Sequence, residues 1–485
     1  MSKELPRMFE MKEGTSDKFW EISLDGKSHT VRYGRVGTDG QTATKDFDTE
    51  AKARASYDKL IAQKTGKGYK EVTGRSDSRQ QQAKALQVQA KEREPFVKAI
   101  LDEPDDPAAY LVFADWLEDQ GDAQGELIRI QWQLEEDGVS AAERKKLQKR
   151  EAALLEEHES AILGDLADDL ISQKGPADLL WRDDSKFYRW QIARGVLDSL
   201  HIEYLLPAFV KVLRKSPAIA TLRRLTIRDP SDAYSLEEID EYAETEWDED
   251  DAPALKMLNG AQFPNLRHFA VTEDEERNCH AATPTIHNLI KNMPRLESLQ
   301  VDAHRVNVSA LFRMAMPELR SLTLQHTADR YPLEVLAKNA SMQRLETLVL
   351  WPHAMEYEDD VGRSYISRES FVALCRSQNL PLLRNVTLYM SNLGDEGIAA
   401  LVKSPLFKQL KTLNLIYGEI TDVGVQTLCD AGVSHLEVLN LSGNYISRAG
   451  TQQLQEAFPA VQCTEQFTGD PTGDDAEYLW MGDIE

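Results

Sequence analysis

Cysteine is scarce in this sequence. Cys279, Cys375, Cys429 and Cys463 stand far apart and form no C-x-x-C pair, which excludes a disulfide framework and a zinc-ligand pattern and leaves buried, reduced thiols as the expectation. Long apolar runs are also missing: none approaches the ~20 residues that a membrane helix needs. The opening Met1-Ser2-Lys3-Glu4-Leu5-Pro6 has no apolar h-region, so no secretory signal is expected. These absences point to a cytoplasmic chain without membrane contact. Catalytic signatures are lacking as well. No phosphate-binding G-x-x-x-x-G-K-[ST] loop, G-x-G-x-x-G turn, H-E-x-x-H or G-x-S-x-G occurs. Cys279 and His280 are adjacent in sequence, which is not how a nucleophile and its base are usually arranged. The expectation is a protein that is not an enzyme and takes no metal and no cofactor; an enzyme whose site assembles only in three dimensions is the alternative.

What is abundant is acid, unevenly spread. The net charge is −25 over 485 residues. Residues 1–98 hold 20 Lys and Arg against 15 Asp and Glu, a balance of +5, so residues 99–485 carry −30. An acidic body repels nucleic acid, whereas a mildly basic head need not.

A repeat dominates the C-terminal part. The pattern L-x-x-L-x-L reads Leu436-Glu437-Val438-Leu439-Asn440-Leu441, followed by Ser442-Gly443-Asn444. Earlier copies start at Leu410, Leu383, Leu345, Leu319 and Leu296, with weaker ones at Leu266, Leu222 and Leu197. First leucines are spaced 25, 44, 30, 23, 26, 38, 27 and 26 residues apart. The two long spacings require insertions: one is the acidic run 237–251, the other lies around 353–368. Between strands, Gly397-Ile398-Ala399-Ala400-Leu401-Val402 and Gly424-Val425-Gln426-Thr427-Leu428 have helical spacing. The region resembles leucine-rich repeats of the ribonuclease-inhibitor type, which implies an α/β horseshoe solenoid over 195–462 in which each unit buries its apolar face only against its neighbours. The residues between the leucines would then face the concave side. Most are small and polar, among them Thr387 and Asn414. The outermost position changes character in the middle units, to Gln325, Trp351, Tyr389 and Ile416. Exposed aromatics are typical binding anchors; the other reading is that they cover the edge or pack under the insertions. These six residues are the candidate protein-partner surface.

The N-terminal segment reads differently. Phe19-Trp20-Glu21-Ile22-Ser23-Leu24 and Thr30-Val31-Arg32-Tyr33 alternate on either side of Asp25-Gly26, which predicts a β-hairpin. Thr49 can cap a helix carrying Ala53, Tyr57, Leu60 and Ile61 on one face. With Tyr33-Gly34-Arg35, the Gly37-Thr38-Asp39-Gly40-Gln41 turn and the closing Lys67-Gly68-Tyr69, this segment resembles the WGR domain, a small sheet-and-helix module of poly(ADP-ribose) polymerases and of some bacterial proteins. The signature Trp is Tyr33 here, while Gly34 and Arg35 match. The resemblance implies a DNA-contacting surface made of Tyr33, Gly34, Arg35, Lys45, Lys64 and Lys67; the other reading of Tyr33 is a packed strand aromatic.

Between the two, 73–94 is a polar linker. From Phe96 the sequence is helical: Asp106-Pro107 predicts a helix start, Gly121 its end, Asp122 a cap for the next helix, and Ser140-Ala141-Ala142-Glu143 a capping box. The run Tyr110-Leu111-Val112-Phe113-Ala114-Asp115-Trp116-Leu117 through Gly121-Asp122 to Glu126 resembles a bacterial "repeat-companion" domain found beside repeat arrays, and the resemblance covers 95–190. A helical domain over 95–194 would cap the apolar end of the first repeat. Asp115 and Glu126 could form a carboxylate pair, but helix-surface acids or caps is the plainer reading. Residues 463–485, with Tyr478-Leu479-Trp480, are a last cap or a docking peptide.

The fold class expected is thus multidomain, α+β and α/β: a WGR-like domain at 1–72, a linker at 73–94, a helical companion domain at 95–194, a leucine-rich-repeat solenoid at 195–462 and a tail at 463–485. The function expected is a cytoplasmic scaffold or adaptor that binds a protein partner. A DNA-sensing regulator or bacterial defence component, with the WGR-like head as sensor, is the alternative.

Overall fold

The computed structural model describes residues 6–13, 16–35, 41–72, 91–175, 186–230, 253–272, 282–327, 330–352 and 366–468. The Gly37–Gly40 turn, most of the linker, Cys279-His280, the two repeat insertions and most of the tail lie outside them. The chain divides into two compact units, Met1–Lys98 and Ala99–Glu485.

The first unit is an antiparallel sheet with one helix. Strands β1 (Arg7–Glu13), β2 (Ser16–Asp25), β3 (Ser28–Arg35), β4 (Gln41–Asp46) and β5 (Lys70–Glu71) lie in the order β4-β3-β2-β1-β5. The expected hairpin joins β2 to β3, with Gly26 in the left-handed region at φ +56°, where a side chain would be strained. Helix α1 (Glu50–Gly66) starts at Thr49, whose hydroxyl accepts from the Lys52 amide at 3.3 Å. Ala53 and Tyr57 of α1 are buried against Phe9, Trp20, Ile22 and Tyr69, with Leu60 and Ile61 packed alongside.

The second unit starts with helices and continues as a large α/β parallel-sheet region. Helix α2 (residues 91–102) runs across the division at Lys98, and after it come α3 (Pro107–Asp119), α4 (Gln124–Glu135), α5 (Ala141–Leu163) and α6 (Ala167–Ile171). Their ends are set by the expected side chains. Asp106 accepts from the Ala108 amide at 2.9 Å, Asp122 from Gln124 at 3.0 Å and Ser140 from Glu143 at 3.2 Å. Asp115 and Glu126 do not face each other: Arg129 binds Asp115 and Arg150 binds Glu126. They are surface ion pairs.

The ten-stranded sheet runs from β6 (Tyr188–Ala193) to β15 (Val438–Asn440) in sequence order. β6 is antiparallel to β7 (Val196–Tyr204). All later neighbours are parallel and in register, through β8 (Arg224–Asp229), β9 (His268–Val271), β10 (Ser298–Asp302), β11 (Ser321–Gln325), β12 (Thr347–Trp351), β13 (Asn385–Tyr389) and β14 (Thr412–Ile416). Each of the nine L-x-x-L-x-L copies supplies one of the parallel strands. The leucine positions point inward: Leu299, Leu322, Leu348, Leu413 and Leu439 are fully buried. Alternate residues face outward, as the pleat requires. One hydrophobic core runs through this unit and takes in Leu127, Ile130, Leu154 and Leu163 of the helices.

Adjacent units are fastened by repeated side chains. Asp395 of one unit accepts from the Thr421 and Gly424 amides that open α7 (Asp422–Ala431) of the next, at 2.9 and 2.8 Å. Asp422 does the same for Ser447 ahead of α8 (Arg448–Ala457), at 2.8 Å. This explains Gly424 and Gly450 inside helices, because a Cβ there would come within 2.6 and 2.1 Å of the carboxylate oxygen. Asn444 is fully buried and satisfied: its amide donates to the Leu415 and Leu441 carbonyls, and its oxygen accepts from Gly418 and Ile420. Among the described residues no helix is long and apolar enough to cross a membrane.

Candidate functional site

The outward face of the ten-stranded sheet is laid out in rows, because parallel strands in register stack equivalent positions. The central row carries Gln300, Thr323, Val349, Thr387, Asn414 and Asn440. Its side chains tie strands together: Asn414 donates to Thr387 at 2.8 Å, and in the row before it Asn385 donates to Thr347 at 3.1 Å. The row at the strand ends runs Asp302, Gln325, Trp351, Tyr389, Ile416.

In that row Trp351 and Tyr389 stack face to face, with ring centroids 4.1 Å apart and planes 5° from parallel. They are 38 residues apart in sequence, and the register alone brings them together. Both are half-buried, as is Gln325. The Trp351 indole N–H is itself buried and has no hydrogen-bond partner among the described residues. Ile416 is different: it is only 7% exposed, enclosed where the chain turns after β14, where the Met390 amide donates to its carbonyl at 3.0 Å. It supports the aromatic pair as wall rather than as contact. The candidate surface therefore consists of Trp351 and Tyr389, flanked by Gln325 and backed by Thr387 and Asn414.

At the other end of the same face the character changes. Where later copies place Ser298, Ser321, Thr347 or Asn385, β8 places Arg224 and β9 places His268. Two rows along, Glu203 accepts from Arg228 at 2.8 Å and pairs with His201, in the row between, at 3.2 Å. Burial alone would raise the Glu203 pKa, but the hydrogen bonds from His201 and Arg228 outweigh it and hold the carboxyl below its ordinary value. Sequence reasoning missed this charged end. Its signal was present in Leu222-Arg223-Arg224-Leu225 and Leu266-Arg267-His268-Phe269, where charge replaces the usual small residue.

In the N-terminal unit Tyr33 is directly paired with Trp20 and shares its face of the sheet. Trp20 is buried, whereas Tyr33 is 42% exposed, so Tyr33 is an open aromatic rather than a core residue. Gly34 pairs with Phe19, and Arg35, the last residue of β3, pairs with Lys18. The Lys64 ammonium, on the last turn of α1, lies 5.5 Å from the Trp20 ring and 4.8 Å from the Tyr69 ring. Burial and then the Lys67 charge push its pKa down. Lys67 follows as the exposed C-cap. Lys45 stands apart. It pairs with His29, four residues before Tyr33 along β3, or about 13 Å at the usual rise per residue, and lies 5.5 Å from the Phe47 ring. The structure thus gathers Tyr33 and Lys64 around Trp20 and leaves Lys45 at the far end of the strand. Lys18, exposed and opposite Arg35, was missed; the alternation along β2 could have found it.

The first unit matches the WGR domain family over residues 6–76, so the chain carries a WGR domain at its N-terminus. A segment of 56 residues is 48% identical to the uncharacterized protein YfeS of Escherichia coli (strain K12). That match covers 12% of this chain and spans only 23% of the relative. A crystal structure of a Bacteroides fragilis protein aligns over 96% of this chain and 98% of that one, at 17% identity and a TM-score of 0.34, a similarity too low to carry an inference about fold.

Proposed function

We propose that this chain is a non-enzymatic interaction protein whose C-terminal region binds a protein partner on the outward face of its sheet. In this reading residues 195–462 are a leucine-rich-repeat solenoid and the helices of 95–194 are a repeat-companion domain that covers its first unit. In-register strands, one per L-x-x-L-x-L copy, support the repeat reading. So do the aspartates that cap the helix of the following unit.

The observation that carries the proposal is the Trp351–Tyr389 stack. A pair of parallel rings, half-exposed amid small polar side chains, offers a rigid apolar contact at low entropic cost, which is the chemistry of a binding anchor. The test is affinity capture from the native cell with the full chain and with a Trp351→Ala/Tyr389→Ala variant. A partner recovered in stoichiometric amount with the first and lost with the second supports the reading. Equal recovery with both contradicts it.

A second reading concerns the WGR domain, for which the exposed Tyr33, paired with the Trp20 that Lys64 also approaches, is the motive. Tyr33 would stack on a sugar or base while Lys64, Lys67, Arg35 and Lys18 meet phosphates. The head would then be a DNA-responsive regulator of whatever the sheet face holds. Electrophoretic mobility of labelled nicked duplex with the full chain tests it, and the absence of a shift at low salt would contradict it, since low salt favours phosphate contacts.

A further inference from the structure

The charged end of the sheet face encloses a cavity of about 320 Å³, within the size range of small-ligand sites. It is built from four strands and one helix of the second unit. Asp198 of β7, Arg224 of β8 and His268 of β9 line it, with Gln191 of β6, Glu135 of α4 and Glu297 ahead of β10. Its wall is almost wholly polar.

Most of the charges around it are already matched. Arg194 is held by Glu135 at 2.9 Å and lies over the Trp132 ring at 5.0 Å. Arg223 and Arg267 share Asp105, at 2.6 and 2.5 Å, and Arg267 also approaches Glu297 at 3.4 Å. Two groups are left over, one of each sign. Arg224 is exposed and forms no salt bridge among the described residues. Asp198 is largely buried, its side chain 14% exposed, and its nearest cation is Arg223, with Nε 3.9 Å away, beyond hydrogen-bond reach. Arg224 and Asp198 feel each other's field but do not meet as an ion pair.

The separation of this pair follows from the register. Arg224 pairs with Ser199, one residue beyond Asp198. Neighbouring strands stand about 4.8 Å apart, so the two charged ends flank the cavity without closing it. His268 sits on the next strand, in the same row as Arg224. Burial, together with the Arg224 charge, pushes its pKa down, so at neutral pH it is a neutral ring that can donate one hydrogen bond and accept another. Burial raises Asp198, the sign of a carboxyl that lacks a compensating donor.

We infer that this cavity binds a small zwitterion of the amino-acid class, its carboxylate on Arg224 and its ammonium on Asp198, with His268 and Gln191 meeting remaining polar groups. A guanidinium fork matches a planar carboxylate in two hydrogen bonds. An ammonium supplies Asp198 with the donors that the protein withholds. A dianion fits poorly, because three carboxylates line the wall and only Arg224 is uncompensated. An apolar ligand fits worse, because it would strip water from Arg224 and Asp198 without replacing it.

The test uses the full chain in thermal-shift and calorimetric titrations with the common L-amino acids, and with acetate, methylammonium and inorganic phosphate as probes of the separate halves. At least one amino acid should bind saturably, with a Kd of about 1 mM or tighter, and its N-acetyl and amide derivatives should not. Arg224→Gln and Asp198→Asn should each weaken that binding about tenfold or more, and an unchanged melting temperature would show that the variants fold. Absence of saturable binding by any amino acid overturns the inference. So does binding of acetate or phosphate as tight as that of the amino acid, which would make this a plain anion site. Undiminished binding by both variants would overturn it as well.

Discussion

Replacing Gly195 by alanine probes how the helices hold the sheet. Gly195 turns the chain from β6 into β7 at φ +73°, where an L side chain costs roughly 1–2 kcal/mol. The new Cβ would also stand 2.2 Å from Cγ1 of Ile128 on α4. Ile128 is fully buried, and forcing a methyl into a filled core costs roughly 1–3 kcal/mol. The turn cannot easily move away. Its amide donates to Gln131 Oε1 at 2.7 Å, and its carbonyl accepts from Gln124 Nε2 at 2.8 Å. The sum is roughly 2–5 kcal/mol, a large part of the 5–15 kcal/mol that stabilises a typical domain. Urea denaturation followed by tryptophan fluorescence measures it, since Trp132 and Trp190 lie in this region. Adding Ile128→Ala should recover about 1–3 kcal/mol relative to the sum of the single changes. A loss below about 0.5 kcal/mol, or strict additivity, would refute the packing described.

Three further outcomes are expected. If the WGR domain binds DNA, Tyr33→Ala should weaken binding about tenfold at any salt, as loss of one stacking contact does, whereas Lys64→Ala should also flatten the log affinity against log salt slope by about 0.9; equal slopes would remove Lys64 from the interface. Asp105 bridges Arg223 and Arg267; burial works against its ionisation, but the two arginines outweigh it and hold its pKa below the ordinary value. A depressed carboxylate stabilises the fold above its unfolded pKa and loses that contribution as pH falls through the folded value. Acid unfolding should therefore be shallower in Asp105→Asn, and an identical profile would deny the bridge a role. Burial pushes the Cys375 thiol up to about 12, so it should react with a disulfide reagent only after unfolding, while Cys429 and Cys463, both partly exposed, react in the native state; fast modification of Cys375 would contradict its burial.

The features that could be read from sequence are those with local causes. Each L-x-x-L-x-L copy became a strand because leucine spacing and strand pleat agree over six residues. Thr49, Asp106 and Ser140 open helices as expected because a cap is decided within four residues. What escaped depends on partners distant in sequence. Strand β6 lies in a stretch expected to be helical, and its alternation acquires meaning only once β7 pairs with it. The Asp105 bridge joins residues 118 and 162 positions apart. Trp351 and Tyr389 were read as separate exposed side chains, because the insertion between them hides the register that stacks them. Ile416 occupies the same row but is enclosed, a difference set by the turn that follows it. Lys45 was grouped with Tyr33 through the resemblance to the WGR domain, and only the β3–β4 register separates them.

The measurement closest to the central claim is hydrogen–deuterium exchange of the captured complex against the free chain. Bound partner should slow exchange in 347–351, 385–389 and 412–416, the strands carrying the aromatic pair and its wall. Protection confined to the helices 107–171 or to the WGR domain, with those strands unchanged, would contradict it.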